Sequence, residues 1–406
     1  MHPTLTPQRE RYFLLTLAGI QFSHILDFMI MMPLGPILIG SLGIETHQFG
    51  LLVAAYSFSA ALSGLLAATF IDRFERKRFL LVIYVLFGLA TLTCGLAPGY
   101  ATLLAARSLA GIFGGVMGAM VQTMVGDMIP FARRAKASGI VSTAFSISTV
   151  AGVPLSLWLA THFQWRAPFF LIAALTALFA LVGVRVLPEL LQHIDARRRA
   201  HPFVEMFAVL RDPNHLRALL FSALLISSGF TVIPYITLYA VANVGISQHD
   251  IPYIYLAGGL ATLFTARQIG HWADLRGKIK VYRTVAVAAL IPLYVVTHIG
   301  VSPLWVWLAS TTPFFVLVSG RMIPAMAIIT SSAQPKLRGT FMSLHATVQS
   351  LSMGFATMLA GFIITQNDAG QIVGYGSVGY VAIAGNAMAI LFVSRIAMHD
   401  QHAAPK

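Results

Sequence analysis

Twelve apolar runs of about 20 residues or more, with charged residues confined to the segments between them, leave this chain few ways to fold. A bilayer core about 30 Å thick is crossed by about 20 helical residues, so each run reads as a transmembrane helix. The runs lie near 12–39, 48–71, 79–97, 101–128, 138–161, 167–187, 215–243, 251–272, 281–300, 304–329, 340–365 and 375–397. Barrel strands alternate apolar and polar residues over about ten positions, and runs this long exclude them. With 57% hydrophobic and 10% charged residues, the chain falls far from soluble proteins, in which about a quarter of residues are charged. The expected fold class is an all-α membrane protein of twelve spans.

The net charge of +13 would suit nucleic acid if it lay on one exposed face. Instead it falls in clusters on alternate loops: Arg9 and Arg11, Arg73 to Arg78, Arg133 to Lys136, Arg185 to Arg217, Arg276 to Arg283, Lys336 and Arg338, then Arg395 and Lys406. The opposite loops carry only Arg166. This asymmetry places both termini in the cytoplasm and makes the lipid bilayer, not nucleic acid, the partner. Cys94 is the single cysteine, which excludes an internal disulfide or a multi-thiolate metal site. The polar start, Met1 to Arg11, leads into a run too long for a signal-peptide core, so the first span is expected to remain attached.

Pro188 to Pro213 is the longest polar stretch and divides the spans six and six. It reads either as a solvated connector or as a linker carrying an amphipathic helix on the inner leaflet. The expected organisation is a bundle over 1–187, a linker over 188–213 and a bundle over 214–406. A repeat supports the division: Ala68 to Lys77 after the second run and Gly270 to Lys278 after the eighth follow one plan, small-x-x-x-Asp-x-x-x-basic. Pseudo-symmetric halves with a site between them near mid-membrane are a transporter architecture.

At these residues the chain resembles the major facilitator superfamily, in particular its twelve-span drug/proton antiporters and sugar-efflux permeases. The family's loop signature, Gly-x-x-x-Asp-Arg-x-Gly-Arg-Lys, is met at Asp72, Arg73, Arg76 and Lys77, with Ala68 and Glu75 at its glycine positions. Arg107-Ser108-Leu109-Ala110-Gly111 and Gly152-Val153-Pro154-Leu155 match the fourth- and fifth-span motifs, the latter without its final glycines. The resemblance implies a conformational latch of Asp72, Arg73, Arg76 and Asp127, repeated at Asp274 and Lys278, and close helix packing at Gly152 and Pro154. It also implies that Arg107 faces a cavity and modulates proton uptake, and that spans one, four, seven and ten line that cavity.

Asp27 alone among the acidic residues lies deep in a span. A carboxylate there must be paired, hydrated or protonated, so Asp27 is either the coupling-proton site or a structural partner of Arg107 or of backbone freed by Pro33. His24, three residues earlier, shares its helical face and either shares the proton or packs. Gln21, Gln122, Tyr235, Tyr239, Arg321, His345 and Gln349 are the polar and aromatic candidates for a substrate cavity, and Asn243 is a further polar candidate.

No phosphate-binding loop, metal-ligand cluster or hydrolase elbow is present in the sequence, which disfavours an enzyme or an ATP-driven pump. The leading expectation is a monomeric proton-coupled antiporter of a bacterial-type inner membrane. It would export a small amphiphile, drug or sugar-like metabolite with the proton as coupling ion and no cofactor. Uptake or facilitated transport of a small anion is the alternative, motivated by more buried Arg than acid; a transporter-like receptor that binds without flux is a third reading.

Overall fold

The computed structural model describes residues 6–71, 74–189, 202–334 and 336–399. The first run folds as α1 (Pro7–Ile30), started by Thr6, whose side chain accepts the Arg9 N–H. It breaks over Met31–Leu34 and resumes as α2 (Gly35–Leu42). Pro33 and Pro36 lack the N–H that would carry the ladder through, which accounts for the break. The next spans are α3 (Thr46–Phe70), α4 (Arg76–Leu96) and α5 (Tyr100–Met128). The fifth span is α6 (Phe131–Ile147) joined through a π-helical turn, Ser148–Gly152, to α7 (Val153–His162), with Pro154 at the second position of α7. The sixth is α8 (Ala167–Val186).

After the linker, α9 (Pro202–Arg211) leads into α10 (Pro213–Phe230), capped by the Asp212 side chain on the Asn214 N–H. This seventh span breaks around Pro234 and continues as α11 (Ile236–Tyr239) and a wide turn stopped by Gly245 at φ 84°. The remaining spans are α12 (Ile251–Arg276), α13 (Lys278–Ala288) with α14 (Leu290–His298), α15 (Leu304–Gly320) with α16 (Met322–Ser332), α17 (Arg338–Ile363) and α18 (Tyr375–Phe392). Between α17 and α18, β1 (Thr365–Gln366) and β2 (Ile372–Val373) pair antiparallel. Asn243 clamps this hairpin through both its amide atoms to Ile372, which gives that polar residue a structural task.

Eleven spans among the described residues are long and apolar enough to cross a bilayer. At the place expected for the eighth stands α12, whose 26 residues span about 39 Å. Its tyrosines, threonines and Arg267 dilute its apolar character, which is why length and hydropathy disagree there.

Packing divides the described residues into two units, one from 1–34 and 55–199 and the other from 35–54 and 200–406. In the first, Phe13, Leu17, Tyr84, Phe87, Met117, Met120 and Met124 are fully buried. Gly111 and Gly115 let α5 approach the α3 backbone: a Cβ on them would lie 2.4 Å from the Tyr56 carbonyl oxygen and 2.2 Å from that of Ala60. Small residues at such crossings are what helices in lipid use to gain contact. Gly152 meets Leu26 of α1 in the same way, and Ser148 donates to the Phe22 carbonyl, so the fifth-span motif packs against the first span.

In the second unit α10 packs with α17 and α18, and α12 with α15. Tyr235 lies where Gly50 and Gly361 leave room: its hydroxyl would be 2.3 Å and 2.6 Å from a Cβ at those glycines. On α9, Val204, Phe207 and Leu210 are exposed while Val209 is buried and Glu205 accepts from Thr340 at 2.6 Å. This end of the linker is therefore a helix with apolar side chains exposed on it; the linker's arginines 197–199 lie outside the described residues.

Candidate functional site

The first unit concentrates its intramembrane charge one turn before the break in α1. Asp27 and Arg107 are both 0% exposed, and Arg107 Nη1 donates to Asp27 Oδ2 at 2.7 Å and to the Asp27 carbonyl at 3.3 Å. Thr91 on α4 donates to the other carboxylate oxygen at 3.2 Å. The guanidinium sits 4.6 Å from the Tyr56 ring centroid, a cation–π contact with α3. Four spans thus supply one charged constellation. A buried pair that loses one member leaves an uncompensated charge at a cost of about 3 to 5 kcal/mol, so the two residues hold each other in place.

Polar atoms around this pair retain hydrogen-bonding capacity. Arg107 Nε and Nη2, the Tyr56 hydroxyl and His24 Nδ1 are buried without a hydrogen-bond partner among the described residues, as is Gln21 Oε1, six residues before Asp27 on α1. Gly114 leaves room for two of these side chains: a Cβ there would lie 2.1 Å from the Tyr56 hydroxyl and 3.1 Å from His24 Cδ2. His24 also meets Phe87 edge-on, at 6.0 Å between centroids. Chemically the cluster can hold a charge pair, exchange a proton on a carboxylate, and offer donors and acceptors beside it.

The second unit carries a contrasting cation. Arg321, at the junction of α15 and α16, is 1% exposed and donates to Asn386 Oδ1, to Ser228 Oγ at 3.2 Å and to the Leu225 carbonyl at 3.4 Å. No carboxylate pairs with it among the described residues, and its Nε and the nearby Tyr282 hydroxyl are buried without hydrogen-bond partners there. Asn386 is itself fixed by donating to the Ala286 carbonyl at 2.7 Å. Desolvating a cation with neutral acceptors alone is expensive in hydrocarbon.

The other expected cavity residues make their contacts within their own units. Tyr235 and Tyr239 donate to the Thr357 and Ile299 carbonyls at 2.8 and 2.9 Å, so both hydroxyl protons are engaged. His345 bonds Ser222 at 2.9 Å within the second unit, and Gln349 is half-buried one turn further along α17. Gln122 is exposed on α5 and accepts from Ser138 at 3.3 Å.

Of the expected latch, Arg76 is 2% exposed, pairs with Asp127 at 3.3 Å and donates to the Ile71 carbonyl; Asp72 and Arg73 lie outside the described residues. Lys278 reaches Ser331 at 3.0 Å, and Asp274 is exposed. Thr91, Tyr56, Ser228, Tyr282 and Asn386 were not anticipated. A threonine or tyrosine in a span carries no signal of its own, whereas an asparagine amid the apolar run of α18 is a legible one.

The family model described as Major Facilitator Superfamily matches residues 17–357. "Multidrug resistance protein 2" of Bacillus subtilis is 23% identical over 367 residues, covering 89% of this chain and 90% of that protein. "Probable sugar efflux transporter" of Mannheimia succiniciproducens is 22% identical over 348 residues, covering 84% of this chain and 83% of that one. The crystal structure of the nucleoside transporter NupG superposes with a TM-score of 0.75 at 11% identity, over 95% of this chain and 99% of that chain, a likeness of fold.

Proposed function

The chain belongs to the major facilitator superfamily, and on that premise we propose that it is a proton-coupled antiporter that exports a small amphiphilic molecule, a drug or a sugar-like metabolite. Membrane transport follows from the family; coupling, direction and substrate class are our reading. The observation that carries it is the buried Asp27–Arg107 pair with Thr91 on its second oxygen and unpartnered donors and acceptors beside it. A hydrogen-bond donor of the substrate binds the ionised Asp27 carboxylate beside Arg107. A proton arriving on Asp27 Oδ2 cancels the charge that holds both, so Arg107 is released and the substrate leaves. Loss of the proton restores the carboxylate for the next substrate, so proton and substrate exclude each other by competing for one partner.

Support for movement comes from the breaks in α1 and in the seventh span, at Met31–Leu34 and around Pro234. Interrupted helices at corresponding places in two halves are where transporters bind substrate and bend. The Arg76–Asp127 pair at the ends of α4 and α5 supplies a latch of about 1 to 3 kcal/mol that a change of state makes or breaks. Names of two relatives, a multidrug resistance protein and a sugar efflux transporter, support export. A monomer in a bacterial-type inner membrane, with both termini cytoplasmic, completes the proposal; a C-terminal reporter active only in the cytoplasm tests the orientation.

The decisive experiment uses the full-length protein in everted vesicles and a panel of amphiphilic drugs and sugars. Compounds that dissipate an imposed proton gradient are retested with Asp27→Asn. Loss of substrate-dependent proton movement, with binding retained in a thermal-shift assay, is expected. Exchange at parental rates would refute the assignment of Asp27.

A second reading, transport of a small anion, is favoured by one observation: Arg321 is a buried cation with neutral partners only among the described residues. Under it, carboxylate or phosphate compounds stabilise the parent but not Arg321→Gln, while neutral compounds act equally on both.

A further inference from the structure

At the polar ends of α1 and α6, within the first unit, lies a cleft of about 270 Å³ that the transport reading does not use. Glu10 of α1 accepts two hydrogen bonds from Arg133 of α6, at 2.9 and 3.1 Å, and this fork joins the helices across the cleft. Arg11 and Lys136 line the same cleft, and both are exposed and form no ion pair among the described residues. With Glu10 matched by Arg133, the mouth keeps two positive charges. Below them the lining is apolar: Leu15, which is half-exposed on α1, and Ile140 of α6.

The order of these groups decides the ligand. Two basic side chains stand at the border of the span, and an apolar wall descends from them along two transmembrane helices. A free phosphate would satisfy the mouth and leave the wall uncovered. A neutral lipid would cover the wall and leave Arg11 and Lys136 without a counter-charge. We propose that this cleft is a binding site for an anionic phospholipid, its phosphate held by Arg11 and Lys136 and an acyl chain lying along Leu15 and Ile140. Basic pockets between helix ends at a membrane surface take such headgroups because the low-dielectric border strengthens the charge contact. The site bridges α1 and α6, so an occupied cleft would brace the two helices at their polar ends and stabilise the first unit.

The test uses full-length protein, delipidated in a mild detergent, and follows thermal unfolding as dioleoyl phosphatidylglycerol, dioleoyl phosphatidylcholine or inorganic phosphate is added. Phosphatidylglycerol should raise the midpoint saturably, and the other two should not. A basic group near a charged lipid surface is worth about fivefold in affinity, so Arg11→Gln with Lys136→Gln should weaken the apparent affinity roughly 25-fold. Lys136→Arg should retain it, and Arg217→Gln, on exposed α10 surface, should leave it unchanged. Both altered side chains are exposed, so the fold should survive their loss, which the unfolding midpoint without lipid checks directly. Equal stabilisation by phosphate alone would overturn the lipid assignment, as would equal stabilisation by phosphatidylcholine. An unchanged phosphatidylglycerol response in the double variant would overturn the site.

Discussion

Removing the two members of the buried pair singly and together tests whether Asp27 and Arg107 act as one unit. In Asp27→Leu, Arg107 keeps only the residue-27 carbonyl at 3.3 Å and the Tyr56 ring, which leaves a desolvated cation without a counter-charge. In Arg107→Met, Asp27 keeps only the Thr91 hydroxyl at 3.2 Å. Each single change should cost about 3 to 5 kcal/mol. The double variant replaces both charges with apolar side chains and should lie only about 1 to 2 kcal/mol below the parent, chiefly through the lost cation–π contact. The sum of the singles, about 6 to 10 kcal/mol, then exceeds the double by at least about 4 kcal/mol. Midpoints of denaturant unfolding, followed by circular dichroism in detergent micelles, give the cycle. Additive losses would refute the pairing and, with it, the argument that a proton on one residue releases the other. Asp27→Asn should be milder, about 1 to 3 kcal/mol, because an amide oxygen can still accept from Arg107, as Asn386 does from Arg321.

Four further outcomes are expected. Gly115→Ala drives a methyl against the Ala60 backbone, which cannot move aside as a side chain can, and should cost about 1 to 3 kcal/mol in the same unfolding assay. Tyr235→Phe deletes the bond to the Thr357 carbonyl and should lower stability by about 1 kcal/mol while leaving substrate-induced thermal shifts intact, since that hydroxyl is engaged within the fold. Thr91→Val removes the hydrogen bond to Asp27 Oδ1 and should lower stability by about 1 to 3 kcal/mol in the same unfolding assay; an unchanged midpoint would exclude Thr91 as a positioning residue. At the start of α10, burial pushes the Asp212 carboxyl up, but the Asn214 N–H, His215 and the Gln334 amide outweigh it and hold it below the usual carboxylate range. Its stabilisation is therefore full above the unfolded value near 3.9 and is lost as pH falls through the lower folded value, so Asp212→Asn should flatten the acid limb of a stability profile.

Much of the architecture was legible because hydrocarbon imposes one rule on every segment: its backbone must bond to itself. Most runs and helices agree to within a few residues, whereas which prolines break a span was not legible: the chain breaks at 33 and 234 but runs on through Pro313 in α15. Among the described spans only α12 falls short on apolarity, and the short hairpin before α18 carried no period long enough to read. Asp27 and Arg107 were individually conspicuous because a charge inside a span is costly wherever its partner lies. Their contact was one of the alternatives the sequence left open, since 80 residues separate them and nothing local states which side chain a buried guanidinium will reach.

The same limit explains what the chain kept hidden. Tyr235 and Tyr239 read as candidate substrate contacts from their place in a span, and nothing in the sequence shows that their hydroxyls serve backbone carbonyls brought near by other helices. Arg321 and Arg107 look alike in sequence; one has a carboxylate and the other has asparagine and serine. By itself the sequence determined the spans and which charges had to be buried, because the energies concerned belong to single residues and their neighbours in the helix. Only the tertiary structure decided which charges are compensated, because hydrogen bonds and ion pairs act over about 3 Å, and such distances are fixed by how distant helices pack.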